Sequence, residues 1–150
     1  MVICAMTLSG CKYYKLARFA KWFGDPETSH EVSVSSDGQT VRAVLKQDTS
    51  AGYGWKYYEE GNAISYYNVS YSKDIFTSTD CTTYDFISLE SGKSTLYLIL
   101  TKDGDLDTAK VFFYELSTDS AKKIYIENEG SFLLEKDNKL KKKIIEQESK

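Results

Sequence analysis

The stretch LKQDTSAGYGWKYYEE, residues 45–60, decides how this chain folds. Before it, Val41, Ala43 and Leu45 alternate with polar or charged neighbours, the period-two signature of a half-buried strand. The alternation stops at Asp48. A small, polar segment with Gly52 and Gly54 follows, and an aromatic run opens at Trp55. Aromatic residues suit the pleated, half-buried surface of a strand, so the stretch reads as strand, loop, strand. The connection is longer than the two residues of a tight hairpin. It is therefore expected to be a built loop rather than a simple reversal.

The same pattern continues in both directions. Residues 31–35 alternate, Asp37-Gly38 reads as a turn, and residues 39–46 form the strand that leads into the loop. Downstream, Asn68-Val69-Ser70-Tyr71 marks a further strand and residues 84–89 a weaker one. TLYLILT (95–101) and KVFFYEL (110–116) are apolar runs too short for helices and bounded by turn residues, and residues 122–127 close the set. Seven or eight short strands with turns at regular intervals predict an all-β sandwich. A length of 150 residues suits one domain with a real core, and the 12 tyrosines agree with a strand-rich chain. No repeat is visible.

Charge and chemistry narrow the function classes. A net charge of −3 supplies no domain-wide basic field for nucleic acid, and no apolar run reaches the ~18 residues of a membrane-spanning helix. The chain has one histidine, His30, and three cysteines, Cys4, Cys11 and Cys81. A nucleophilic triad or a zinc site is hard to assemble from that set. No phosphate-binding glycine motif occurs. Asp103, Asp105 and Asp107 alternate in a way that suggests calcium, but the distal glutamate of an EF-hand loop is missing and a hairpin turn fits better. The sequon Asn68-Val69-Ser70 falls inside a strand. A binding protein without cofactor or metal is the expectation, working through its loops.

Ser50-Ala51-Gly52-Tyr53-Gly54-Trp55, after a strand ending in Leu45-Lys46-Gln47, resembles the signature loop of chagasin-type inhibitors of papain-like cysteine peptidases. That loop reads N-P-T-T-G-[YF]-x-W between the second and third strands of an immunoglobulin-like sandwich. Gly52, Tyr53 and Trp55 match it outright. Asp48 stands for Asn, Thr49 for Pro, Ser50 for Thr and Ala51 for the second Thr. The likeness extends over residues 31–128. It implies an immunoglobulin-like β-sandwich of seven or eight strands, acting as a monomer. It also implies that Asp48, Thr49, Ser50, Ala51, Gly52, Tyr53, Gly54 and Trp55 form the loop that enters a peptidase cleft beside two companion loops, with Tyr53 and Trp55 as its roots packing beneath it. The companion positions fall at Ser91, Gly92, Lys93 and Ser94 and at Glu115, Leu116 and Ser117. Neither matches the family outright: Ser91–Ser94 has one glycine where the family has several, and Glu115–Ser117 lacks the family's arginine and tryptophan. These losses keep a second reading open, an immunoglobulin-like cell-surface binding module without inhibitory activity.

The two ends of the chain are different material. Leu8-Ser9-Gly10-Cys11, after a short apolar run, resembles a bacterial lipobox and implies a lipid on the Cys11 sulfur. The basic residues that ordinarily precede such a run are absent, and a plain N-terminal strand is the alternative. If the lipobox holds, residues 1–11 are signal remnant and the protein is a secreted, membrane-anchored lipoprotein on a bacterial surface. Residues 12–30 are read as a tether. In it Lys12, Lys15, Arg18 and Lys21 would make a basic stripe on an amphipathic helix suited to an anionic membrane. Residues 129–150 are read as a charged tail, with Leu140 and Ile144 on one face of a partly ordered helix.

Overall fold

The structure is a computed structural model, and it describes residues 28–73 and 79–150. The lipobox with Cys11 and the basic stripe at residues 12–21 lie outside the described residues. Among the described residues eight strands form: β1 (Ser29–Val34), β2 (Thr40–Gln47), β3 (Tyr53–Gly61), β4 (Ile64–Lys73), β5 (Asp80–Ser88), β6 (Gly92–Lys102), β7 (Asp105–Thr118) and β8 (Ile124–Leu133). A single-turn 3₁₀ segment, Thr49–Ala51, sits between β2 and β3. A second, Leu134–Lys136, leads into helix α1 (Asn138–Glu148).

The strands make two antiparallel four-stranded sheets, ordered β1-β2-β5-β4 and β3-β6-β7-β8. The first two strands share a layer with the fifth and fourth, while the third, sixth and seventh lie in the other. This is the order of an immunoglobulin-like sandwich, with β8 added beside β7. The length of the residue 48–52 connection follows from it. A two-residue hairpin would keep β2 and β3 in one sheet. Here the chain must cross to the facing layer, roughly 10 Å away.

Alternation builds the core. Val41, Ala43 and Leu45 of β2, Phe86 of β5, and Leu96, Leu98 and Leu100 of β6 all point between the sheets, with Trp55, Tyr114, Leu116 and Ile124. Each fully buried side chain of this size contributes about 1.5–3 kcal/mol relative to exposure. On the outer face of the first sheet, Arg42 grips Asp85 through two hydrogen bonds of 2.8 and 3.1 Å.

The outer face of the second sheet carries its own apolar cluster. Ile99, Ala109 and Val111 pack there with Leu134, Leu140 and Ile144. Leu140 and Ile144 are four apart and so share one face of α1. Asp137 caps the helix, accepting from the Leu140 amide at 3.0 Å. Ion pairs Lys56–Glu148, Lys141–Asp107 and Lys143–Glu60 tie the helix down to the strands. The segment expected as a charged tail thus begins with the second half of β8 and ends in a docked helix. Likewise, the boundary expected at residue 31 falls inside β1.

Candidate functional site

The loop at residues 48–52 is held by its own polar groups. Asp48 is extended and caps the 3₁₀ turn, its carboxylate accepting from the Ser50 amide at 2.9 Å, from the Ala51 amide at 3.3 Å and from the Ser50 hydroxyl. The Asp48 carbonyl accepts from the amides of Ala51 at 3.2 Å and Tyr53 at 3.3 Å. Gly52 closes the turn in the left-handed region, φ 84°, with its amide donating to the Thr49 carbonyl at 3.1 Å. A Cβ on Gly52 would lie 2.1 Å from Asp103 Oδ1. Gly54 has no such need: its nearest neighbour would be Thr101 Oγ1 at 3.7 Å.

Neighbouring elements fix the loop's position. The Thr49 hydroxyl donates to Asp80 at the start of β5. The Asp103 amide donates to the Gly52 carbonyl at 2.7 Å, joining the loop to the β6–β7 turn. That turn, Asp103-Gly104, has both residues at positive φ, 53° and 72°, as a two-residue type I′ hairpin requires. It is the hairpin that the Asp-Gly-Asp-Leu-Asp run implied, and the described residues hold no cluster of three metal-ligating side chains. From below, the Trp55 indole N–H donates to the Lys46 carbonyl at 3.0 Å, pinning the end of β2 to the start of β3. Tyr53 is half-buried with the Lys102 ammonium 5.7 Å from its ring. Thr49, Ser50 and Ala51 remain exposed at the tip.

Beneath Trp55 lies His30, which the sequence placed in the tether. It belongs to β1 and points inward with Val32 and Val34. Its ring is 5.6 Å from Trp55, 4.1 Å from Phe112 and 6.2 Å from Tyr114. Burial, reinforced by the Lys110 charge, pulls its pKa down from 6.5 to about 4, so it is neutral at ordinary pH. Burial likewise pushes the Tyr114 hydroxyl up. The period-two series His30, Val32, Val34 was the available signal for this placement.

The companion loops expected at Ser91–Ser94 and Glu115–Ser117 do not join this site. Gly61 pairs with Ser94, while Tyr53 pairs with Lys102, so residues 91–94 lie at the opposite end of the sandwich. Lys93 pairs with Ser117 and Thr95 with Glu115, which puts the second set at that far end too. These residues also have structural occupations. The Ser94 hydroxyl accepts from the amides of Ala63 at 2.8 Å and Ile64 at 3.3 Å, Leu116 is core, and Ser117 donates to Glu127. Gly92 accommodates Asn62, whose Oδ1 would lie 2.7 Å from an added Cβ. The reason is parity: in antiparallel strands successive connections alternate ends. Lys73 at the end of β4, Asp80 at the start of β5 and the β6–β7 turn share the β2–β3 end, and Asp103-Gly104 is the neighbour that motif likeness along the chain missed.

No protein-family model, curated protein or solved structure matches this chain. The class defined by the fold is an immunoglobulin-like β-sandwich. The likeness to the chagasin-type family rests on the sequence of residues 31–128, with residues 48–55 as its signature.

Proposed function

We propose that this protein is a binding protein rather than an enzyme. In this reading it inhibits papain-like cysteine peptidases by inserting the residue 48–52 turn into the active-site cleft. One observation carries the proposal. Small, exposed residues (Thr49, Ser50, Ala51) are held rigid by the Asp48 cap, the left-handed Gly52 and the Trp55–Lys46 hydrogen bond. A preformed wedge loses little conformational entropy on association, and small side chains let its backbone approach a catalytic centre closely. Protease–inhibitor interfaces bury about 800 Å² per partner, so one turn is not enough. Asp80 and the Asp103-Gly104 turn are the adjacent surface on which such a contact would extend.

The test is titration of the full chain against a panel of papain-like peptidases. Inhibition at micromolar concentration or below is expected, and Ser50→Glu with Ala51→Glu should abolish it while a thermal melt shows the chain still folded. Failure against every peptidase in the panel would remove the inhibitory reading. The distribution of Ser91–Ser94 and Glu115–Ser117 at the far end favours a second reading, a cell-surface module that binds another protein through the same turn. Capture of a non-peptidase partner, lost on the same double substitution, supports that alternative. We further infer a membrane-anchored bacterial lipoprotein from the sequence at Cys11. Mass spectrometry of the natively produced protein should find diacylglyceryl on that residue, and an unmodified Cys11 would overturn the inference.

A further inference from the structure

We propose, against the monomer expected from the sequence, that the edge of β4 left open among the described residues pairs with β4 of a second copy of this chain, joining two first sheets into one eight-stranded antiparallel sheet. A sheet edge exposes unpaired N–H and C=O groups, and proteins ordinarily guard it with charge, shortness or cover. Three of the four edges here are guarded. β1 is six residues long. β3 carries Lys56, Glu59 and Glu60, two of them ion-paired to α1. β8 carries Glu127 and Glu129, which self-pairing would bring near their own copies.

β4 is different. It is ten residues long, ISYYNVSYSK, with no charge before Lys73 and no proline or glycine. It ends its sheet, and among the described residues only β5 pairs with it. Tyr67 is 66% and Tyr71 74% exposed. A bulge at Tyr66/Asn68 leaves residues 68–73 as the regular segment. There Val69 and Tyr71 share one face with Thr82 and Tyr84, while Asn68, Ser70 and Ser72 share the other.

These facts select the occupant. For every side chain to keep its face, the two-fold axis must set one residue opposite its own copy, and Ser70, the middle of residues 68–72, is a small polar residue that can face itself without crowding. Val69 then stands opposite Tyr71 of the second copy, twice, an aromatic–β-branched pair on one face. Asn68 stands opposite Ser72, and Ser70 opposite itself, as hydrogen-bonding pairs on the other. No like charges oppose one another, so the edge is complementary to itself. The antiparallel arrangement points the two residue 48–52 turns away from each other, leaving both accessible.

The test is sedimentation of the full chain over a concentration series. A dimer is expected. Ser70→Lys and Ser70→Glu should each weaken it by about tenfold or more, since like charges then meet at the axis. Mixing the two variants should restore it, a result peculiar to a position that faces itself. Hydrogen exchange of the wild-type chain should show β4 amides slowing as dimer forms, which tests the idea even where a variant folds poorly. A monomer at every concentration, a dimer indifferent to position 70, or β4 protection only on adding another protein would overturn it.

Discussion

The two ends of the sandwich use similar residues to opposite purposes. At the β2–β3 end, Thr49, Ser50 and Ala51 stand in solvent while Asp48, Gly52 and Trp55 hold them from behind. At the other end, Ser94 is 5% exposed and its hydroxyl is consumed by the amides of Ala63 and Ile64. The Thr118 hydroxyl there donates to the Ala63 carbonyl at 3.1 Å, closing the same buried knot. A serine at an end of the sandwich is thus no evidence of a contact surface; where its hydroxyl is directed decides. One end is a rigid presentation of small groups, and the other is a closed seam.

The largest effect that separates the ends is expected from Trp55→Ala. It removes the side chain that packs against His30 and Phe112 and the hydrogen bond that pins the loop to β2. A loss of about 3–5 kcal/mol is expected in denaturant unfolding, with partner binding impaired in the fraction that stays folded. A loss below 1 kcal/mol would mean that the indole does not root the loop.

Acid should act on the loop end next. His30 has a folded pKa of about 4, below its ordinary 6.5, so folding disfavours its charged form. The stability it permits is complete above pH 6.5, falls as pH drops through that value, and flattens below about 4. The span is worth on the order of 3 kcal/mol. Carboxylates titrate in the lower part of this window, so His30→Phe isolates the term. The variant's stability should be flatter between pH 7 and 5 than the wild type's. Parallel profiles would show that the imidazole is solvated.

Ser94→Ala tests the closed seam. It strips the buried amides of Ala63 and Ile64 of their acceptor, at a cost of about 1–3 kcal/mol, and should leave partner affinity unchanged. A change in affinity at constant stability would return this end to consideration as a contact surface.

Much of the architecture was legible in the sequence because burial imposes period two on strands, as in Val41, Ala43 and Leu45 or in the TLYLILT run. The rest was hidden where local and global information part. Strand ends at Tyr53, Gly61 and Leu133 are fixed by pairing with β6 and β7, which no local pattern announces. The helix at 138–148 was half-visible in Leu140 and Ile144, but its docking depends on an apolar patch at Ile99, Ala109 and Val111 on a different part of the chain. The candidate loop was readable because its caps are local: Asp48 and Gly52 act within four residues. Its true neighbours, Asp80 and Asp103, were not, because they arrive through the parity of strand connections. Motif likeness pointed instead to Ser91–Ser94 and Glu115–Ser117.

The smallest effects come from the two glycines of the loop, and they separate conformation from space. Gly52 lies at φ 84° and a methyl group there would crowd the Asp103 carboxylate. That carboxylate is exposed and can turn away, so the backbone term dominates, and Gly52→Ala should cost about 1–2 kcal/mol. Gly54, two residues on, has an ordinary strand conformation and room for a methyl group at normal contact distance from Thr101, so Gly54→Ala should be neutral within about 0.5 kcal/mol, since it also lowers the entropy of the unfolded chain. If the loop acts as a preformed wedge, Gly52→Ala should weaken partner binding by more than its stability cost alone explains, while Gly54→Ala leaves binding intact. Thermal melts and binding titrations of the pair measure both quantities. Equal effects of the two substitutions would mean that the left-handed turn at Gly52 is not what holds Thr49, Ser50 and Ala51 in place.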